Sequence, residues 1–214
     1  VNYPVSSIKI KLNDGEWKSL QEDGTNYTFG SFELGEGTYT ITEEGQNVNG
    51  YTCTTKIQGT DPASMTFIID KGNLGSEQTI TVVNTYSQER TYTLKYDKNV
   101  PNDGPVSNMP DQATYGPTAE NSYEFTVDTK IPERTGYTFK YWSTGSTTTV
   151  DETHYGHGTG LLDKITVSST DPDYTKTLYA QWQVNLYTVT YKDGVDGTVF
   201  TDDEHKDVVY NTPI

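Results

Sequence analysis

Gly136-Tyr-Thr-Phe-Lys-Tyr-Trp142 and, further along, Thr177-Leu-Tyr-Ala-Gln-Trp182 decide how this chain is read. Both alternate aromatic or β-branched residues with polar ones, and both lie between Gly- or Asp-rich turns, which is the pattern of strands. In the second stretch Leu178, Ala180 and Trp182 fall on one face, with Tyr179 and Gln181 on the other. This predicts a half-buried strand with the first set turned inward. In the first, Tyr137, Phe139 and Tyr141 share a face. Trp142 is out of phase with them, so a bulge or a strand end is expected there.

The composition agrees with a chain made of strands. Of 214 residues 17 are Tyr, and Ala, the best helix former, occurs only at 63, 113, 119 and 180. The expected class is all-β or nearly so, with Tyr-rich, Ile-poor cores in which aromatic rings do most of the burying. A net charge of −15 with no Lys/Arg cluster argues against nucleic acid and anionic lipid as partners. Cys53 is the only cysteine, which excludes an intramolecular disulfide and a Cys-based metal site. It reads as a small strand residue rather than a nucleophile. No run approaches eighteen apolar residues, so no membrane-spanning helix is expected. The chain reads as a piece of a longer protein.

In order along the chain, the first unit, residues 1–88, shows strand-like runs at Ser7–Leu12, Tyr27–Phe32, Thr38–Glu43, Tyr51–Ile57, Met65–Ile69 and Thr79–Tyr86. Turns at Asn13-Asp-Gly15, Leu34-Gly-Glu-Gly37 and Asn49-Gly50 separate them, the signature of a β-sandwich. On Leu34-Gly-Glu-Gly-Thr-Tyr-Thr-Ile-Thr-Glu43, Gly50-Tyr51 and Ile80-Thr-Val-Val-Asn-Thr85, this unit resembles the collagen-adhesin B-type domain of Gram-positive surface proteins. The resemblance implies a transthyretin-like sandwich.

The second unit, residues 89–183, resembles the Listeria–Bacteroides repeat, also called the internalin B-repeat. The matching residues are Tyr92-Thr-Leu-Lys-Tyr-Asp97, Pro132-Glu-Arg-Thr-Gly-Tyr-Thr-Phe139, Trp142 and Leu178-Tyr-Ala-Gln-Trp182. The resemblance implies a β-grasp-like sheet with at most one short crossover helix. Residues 102–123 are rich in Pro, Gly, Asn and Ser and are expected to be loop, with at most a poor helix at Met109 to Tyr115. The long segment Ser143–Lys176 is richer in turns than the family usually has, and reads either as a loop insertion or as extra strands. Residues 184–214 start a further repeat: Tyr187-Thr-Val-Thr-Tyr-Lys-Asp-Gly194 echoes Tyr92-Thr-Leu-Lys-Tyr-Asp-Lys-Asn99 at a spacing of 95 residues (187 − 92).

Catalysis on an external substrate is not expected, since no Gly-x-Ser-x-Gly elbow, phosphate loop or His-Glu-x-x-His helix occurs. No cofactor is implied. His154 and His157, with Asp151 and Glu152, have metal-ligand chemistry but sit in a Gly-containing stretch that reads as a solvated loop. Asp202-Asp-Glu204 lacks calcium-loop spacing. No metal site is assigned.

One internal reaction follows from the first resemblance. Collagen-adhesin B-type domains join a Lys to an Asn or Asp through an isopeptide bond assisted by a buried Glu, and by motif position Glu43 matches that Glu and Asn84 the acceptor. Phase agrees: Tyr39, Ile41 and Glu43 share a face, as do Ile80, Val82, Asn84 and Tyr86. The donor is less well placed, because Lys9 and Lys11 alternate out of phase with Ile8, Ile10 and Leu12. Lys11 is the donor within this chain, the alternative being a lysine on a strand before Val1. The bland reading is that Glu43 and Asn84 only hydrogen-bond.

The resemblances imply a modular, wall-linked segment of a Gram-positive cell-surface protein, a stalk or adhesin outside the cell whose partners are host or extracellular proteins or glycans. A carbohydrate-binding module is the alternative, with Tyr179 and Trp142 as stacking candidates.

Overall fold

The computed structural model describes residues 5–60, 62–146, 153–200 and 204–213. The protein is mainly β. Helical structure among the described residues is limited to three 3-10 turns of three residues each. The chain divides into two compact units, residues 1–90 with Pro117–Ala119, and residues 91–116 with 120–214.

In the first unit β1 (Lys9–Leu12), β2 (Lys18–Ser19), β3 (Gln21–Asp23), β4 (Asn26–Thr28), β5 (Gly37–Glu44), β6 (Tyr51–Ile57), β7 (Thr66–Ile69) and β8 (Val82–Gln88) follow one another. They form a four-stranded sheet in the order β2-β1-β5-β7, an antiparallel pair β6-β8 and a small β3-β4 ribbon. Ile10, Ile41 and Ile57 are the buried centre, with Leu12, Phe29, Phe32, Met65, Phe67 and Val82 packed around them. The expectation of an Ile-poor aromatic core is therefore wrong for this unit. Tyrosine stays at the rim because its hydroxyl needs a polar partner: Tyr39 donates to the carbonyl of Gly35, and Tyr86 to that of Gln46. Ile80, expected inward, lies ahead of β8 and is exposed. Gly45 closes β5 at φ +84°, and a Cβ there would come within 2.0 Å of the Ser7 carbonyl oxygen, so no other residue fits.

The second unit contains β9 (Arg90–Asp97), β10 (Ala113–Thr118), β11 (Ser122–Thr126), β12 (Tyr137–Ser143), β13 (His154–Tyr155), β14 (Lys164–Ser168) and β15 (Thr175–Val184), followed by the hairpin β16 (Leu186–Val189) and β17 (His205–Val209). Five strands make a mixed sheet in the order β10-β9-β15-β12-β13, with β15 parallel to β9 and antiparallel to β12. The pair β11-β14 forms a second layer. Between the layers lie Tyr92, Leu94, Leu178 and Ala180 from the sheet, and Phe125, Ile165 and Val167 from the pair, all buried.

Several details differ from the pattern read in the sequence. The region from Met109 to Tyr115 enters strand β10 rather than a helix. The segment Ser143–Lys176 carries β13 and β14. The bulge in β12 falls between Phe139 and Tyr141, ahead of Trp142. That one-residue slip turns Trp142 inward beside Phe139 and sends Tyr141 to the other face, where its ring stacks on His154 at 3.7 Å. Trp142 is 1% exposed, with Tyr96 edge-on at 4.9 Å. Trp182 is part-buried at the rim, and its indole N–H donates to the carbonyl of Lys98 at 2.8 Å.

The terminal hairpin is joined at Asn185, whose N–H donates to the carbonyl of Gly136. Gly136 has φ +78°, and a Cβ would lie 2.4 Å from that of Tyr210, so the start of the Gly136–Trp142 stretch must be glycine. The hairpin turn is organised by Asp193, whose carboxylate accepts from the N–H groups of Val195, Asp196 and Gly197. Backbone donors, that of Asp196 foremost, hold its carboxyl below the ordinary aspartate range.

Because Trp142 is the largest fully buried side chain, Trp142→Ala is expected to cost about 3–5 kcal/mol, a large part of what a domain this size has. Trp182→Ala should cost less, since its ring is only part-buried. Calorimetry of the two variants checks the order, and a larger loss at Trp182 would mean the bulge does not seat Trp142 as described.

Candidate functional site

Glu43 and Asn84 come from different sheets of the first unit. Glu43 lies on β5 opposite Ile10 of β1, and Asn84 on β8 opposite Thr55 of β6. Both side chains turn into the space between the sheets, as their phase with Ile41 and Val82 requires. The Asn84 carboxamide is fixed on both sides: Nδ2 donates to Glu43 Oε1 at 2.8 Å, and Oδ1 accepts from Thr55 Oγ1 at 2.5 Å. Glu43 Oε2 is buried and has no hydrogen-bond partner among the described residues.

Lys11 stands apart from this pair. It is paired with Thr42 across β1-β5, and its Nζ lies 5.3 Å from the centroid of the exposed Trp17 ring. Lys9 shares that ring, at 5.1 Å, and forms an ion pair with Glu44. The residue of β1 facing Glu43 is Ile10, which is 4% exposed. Two of the three residues singled out from the sequence thus meet, and the third occupies the other face of its strand. Thr55 was missed. Its signal was its phase: it shares the inward face of β6 with Cys53 and Ile57, and a hydroxyl on a core face needs a partner.

The arrangement is a hydrogen-bonded clamp, Glu43–Asn84–Thr55, tying sheet β2-β1-β5-β7 to the pair β6-β8. A carboxylate accepting from an amide makes a stronger bond than two neutral groups do, contributing roughly 1.5–3 kcal/mol. Its chemical potential is specific. A carboxylate beside a carboxamide can carry a proton between that amide and an amine, and among the described residues no amine hydrogen-bonds to either group.

Among the described residues the histidines have other neighbours. His154 packs on Tyr141, and His157 Nε2 lies 2.8 Å from the carbonyl of Val127. Asp151, Glu152, Asp202 and Asp203 lie outside the described residues. Among the described residues no group of three or more His, Cys, Asp or Glu is placed to hold an ion. A wide depression of about 480 Å³ in the second unit is lined by Tyr96, Lys98, Val100, Asp103 and Met109. Its Lys98 and Asp103 neutralise each other in an ion pair at 2.5 Å.

Comparisons of this chain with protein-family models, with curated proteins and with solved structures find no match.

Two results are expected from the clamp. With Lys11 on the far face, the intact mass should equal that of the sequence, with no loss of ammonia. A deficit of one ammonia that disappears in Asn84→Ala would show that an amine reaches the amide. Asn84→Ala should destabilise by about 2–3 kcal/mol, because it leaves the Glu43 carboxylate without its donor. The double replacement Glu43→Leu with Asn84→Leu should recover most of that loss, since no buried charge remains. Additive losses in a denaturant double-mutant cycle would mean the two groups are not coupled.

Proposed function

We propose that this chain is a segment of a modular bacterial cell-surface protein, a stalk or adhesin piece that projects a binding surface toward host or extracellular ligands. In this reading the first unit is a transthyretin-like sandwich of the collagen-adhesin B type, and the second a β-grasp-like Listeria–Bacteroides repeat. The reading is carried by tandem repetition: the strand sequence of β9 returns in β16 at a spacing of 95 residues (187 − 92), directly after the β15 strand that closes the preceding repeat. A second support is that β9 and β15, the first and last strands before the new repeat begins, lie side by side and parallel in mid-sheet. Repeats of this kind extend a protein by addition of like units. The acid-rich composition suits a surface that repels anionic polymers and lipid. Among the described residues no helix is long and apolar enough to cross a membrane. The proposed location is extracellular, on the wall of a Gram-positive cell.

Carbohydrate binding is the second reading, and one observation favours it in a form the sequence did not suggest. Trp142 is buried and Tyr179 part-buried, which removes Trp142 as a stacking face. Trp17, however, is 38% exposed, with Lys9 and Lys11 beside its ring.

Protease treatment of intact producing cells, followed by blotting for this segment, tests the main reading. Loss of the segment without lysis is expected, and protection until lysis overturns it. Glycan-array binding abolished by Trp17→Ala would transfer the assignment to the second reading.

A further inference from the structure

The turn that opens β6 is the one place in this chain where an asparagine directly precedes a glycine, Asn49-Gly50. Tyr51 N–H donates to the Val48 carbonyl at 3.1 Å and closes the turn, with Gly50 at φ +77° in its third position. That dihedral asks for glycine. The same missing Cβ leaves the Gly50 nitrogen open to the side chain ahead of it. Asn49 is exposed. Among the described residues no hydrogen bond holds either its carboxamide or the Gly50 N–H.

At comparable positions one of the two groups is tied. The Asn13 carboxamide accepts from Thr40 N–H at 2.8 Å, and that of Asn73 from Asp70 N–H at 3.2 Å. Asn99 and Asn108 donate theirs to the carbonyls of Ala180 and Ile131. In Asp14-Gly15 the glycine N–H is taken by the Leu12 carbonyl at 2.9 Å, and in Asp196-Gly197 by the Asp193 carboxylate at 3.1 Å. An ionised carboxylate is also a poorer electrophile than a carboxamide.

Gly50 has a second duty. Its carbonyl accepts from the N–H of Glu89 at 2.9 Å, and Thr52 Oγ1, two residues on, donates to Glu89 Oε1 at 3.0 Å. Glu89 is the single residue between β8 and β9, and Tyr51 pairs with Gln88 just before it. The start of β6 therefore clips the end of the first unit in place.

We infer that Asn49 is a site of spontaneous deamidation, and that its isoaspartate product loosens the Glu89 clip. A base takes the Gly50 N–H proton, and the nitrogen attacks Asn49 Cγ. A bond forms from Gly50 N to Cγ, and the bond from Cγ to the side-chain nitrogen breaks. Ammonia leaves with a proton from solvent, and a five-membered succinimide remains. Water then opens the ring at either carbonyl. Breaking the new bond to Cγ gives aspartate, and breaking the bond to the main-chain carbonyl carbon gives isoaspartate. One water is consumed and one ammonia released, with no change of oxidation state. Isoaspartate puts an extra carbon into the main chain directly ahead of Gly50, which displaces the carbonyl that holds Glu89. Either product adds a negative charge to a chain already at −15. The inference rests on the turn alone and does not require the surface location proposed above.

Incubation of the purified chain at neutral and at mildly alkaline pH, followed by intact mass and peptide mapping, tests this. A gain of about one dalton is expected, confined to the peptide that carries Asn49. It should form faster as hydroxide rises, and its sign is opposite to the loss that an amine linkage at Asn84 would give. The aged chain should accept a methyl group from S-adenosylmethionine through an isoaspartyl methyltransferase. In that form the Glu89 amide should exchange roughly tenfold faster, because its acceptor has moved. Asn49→Gln should stay at constant mass, since its ring would need six members, and it leaves the turn in place. No gain in mass, a gain that maps to another asparagine, or a gain that persists in Asn49→Gln overturns the inference. Unchanged exchange at Glu89 in the isoaspartate form overturns it as well.

Discussion

The second unit depends on one pairing, β15 beside β9. Parallel neighbours cannot be joined by a tight turn and need a long crossover, and here the crossover is everything from Lys98 to Tyr174. That requirement explains the layering. The crossover must leave the sheet, return, and cover its apolar face on the way. It does so with the β11-β14 pair, whose Phe125, Ile165 and Val167 close over Tyr92, Leu94, Leu178 and Ala180. A helix would serve equally well in geometry. The sequence Ser-Tyr-Glu-Phe-Thr and its partner Lys-Ile-Thr-Val-Ser alternate at period two instead, and a strand pair is the element that buries such a pattern.

The first unit solves a different problem. Its buried centre is three isoleucines, a small store of apolar area for eight short strands. A polar bridge between its sheets, Glu43 to Asn84 to Thr55, adds direction where area is limited: hydrogen bonds fix which residues face each other, whereas apolar contact alone tolerates sliding. Glu43 Oε2 is the cost of that choice, a buried acceptor without a donor among the described residues.

Much of this was legible in the sequence, for a definite reason. Strands with one face in a core must alternate, so β1, β5, β6, β9 and β15 were visible as runs such as Lys-Ile-Lys-Leu and Thr-Leu-Tyr-Ala-Gln-Trp. The same alternation placed Glu43 and Asn84 on inward faces and Lys11 on the outward one, before any coordinates. What stayed hidden lacks the alternation or breaks it. β10 reads Ala-Thr-Tyr-Gly-Pro-Thr, with turn residues in an outer strand where a missing N–H is tolerated. The bulge shows in the sequence only as a phase break at Trp142, and its place at Lys140, two residues earlier, is a geometric event with no composition of its own. Its consequence, Trp142 inward and Tyr141 outward, reverses the assignment that phase alone gives. The isoleucine core was missed because composition averages the whole chain, while burial selects a few positions from it.

Edges are the remaining constraint, since an open sheet always has two. In the five-stranded sheet one outer strand carries Gly116-Pro117, and the other, β13, is only two residues long. In the four-stranded sheet β2 is likewise two residues long. Short strands and proline are the ordinary ways of keeping a sheet from growing.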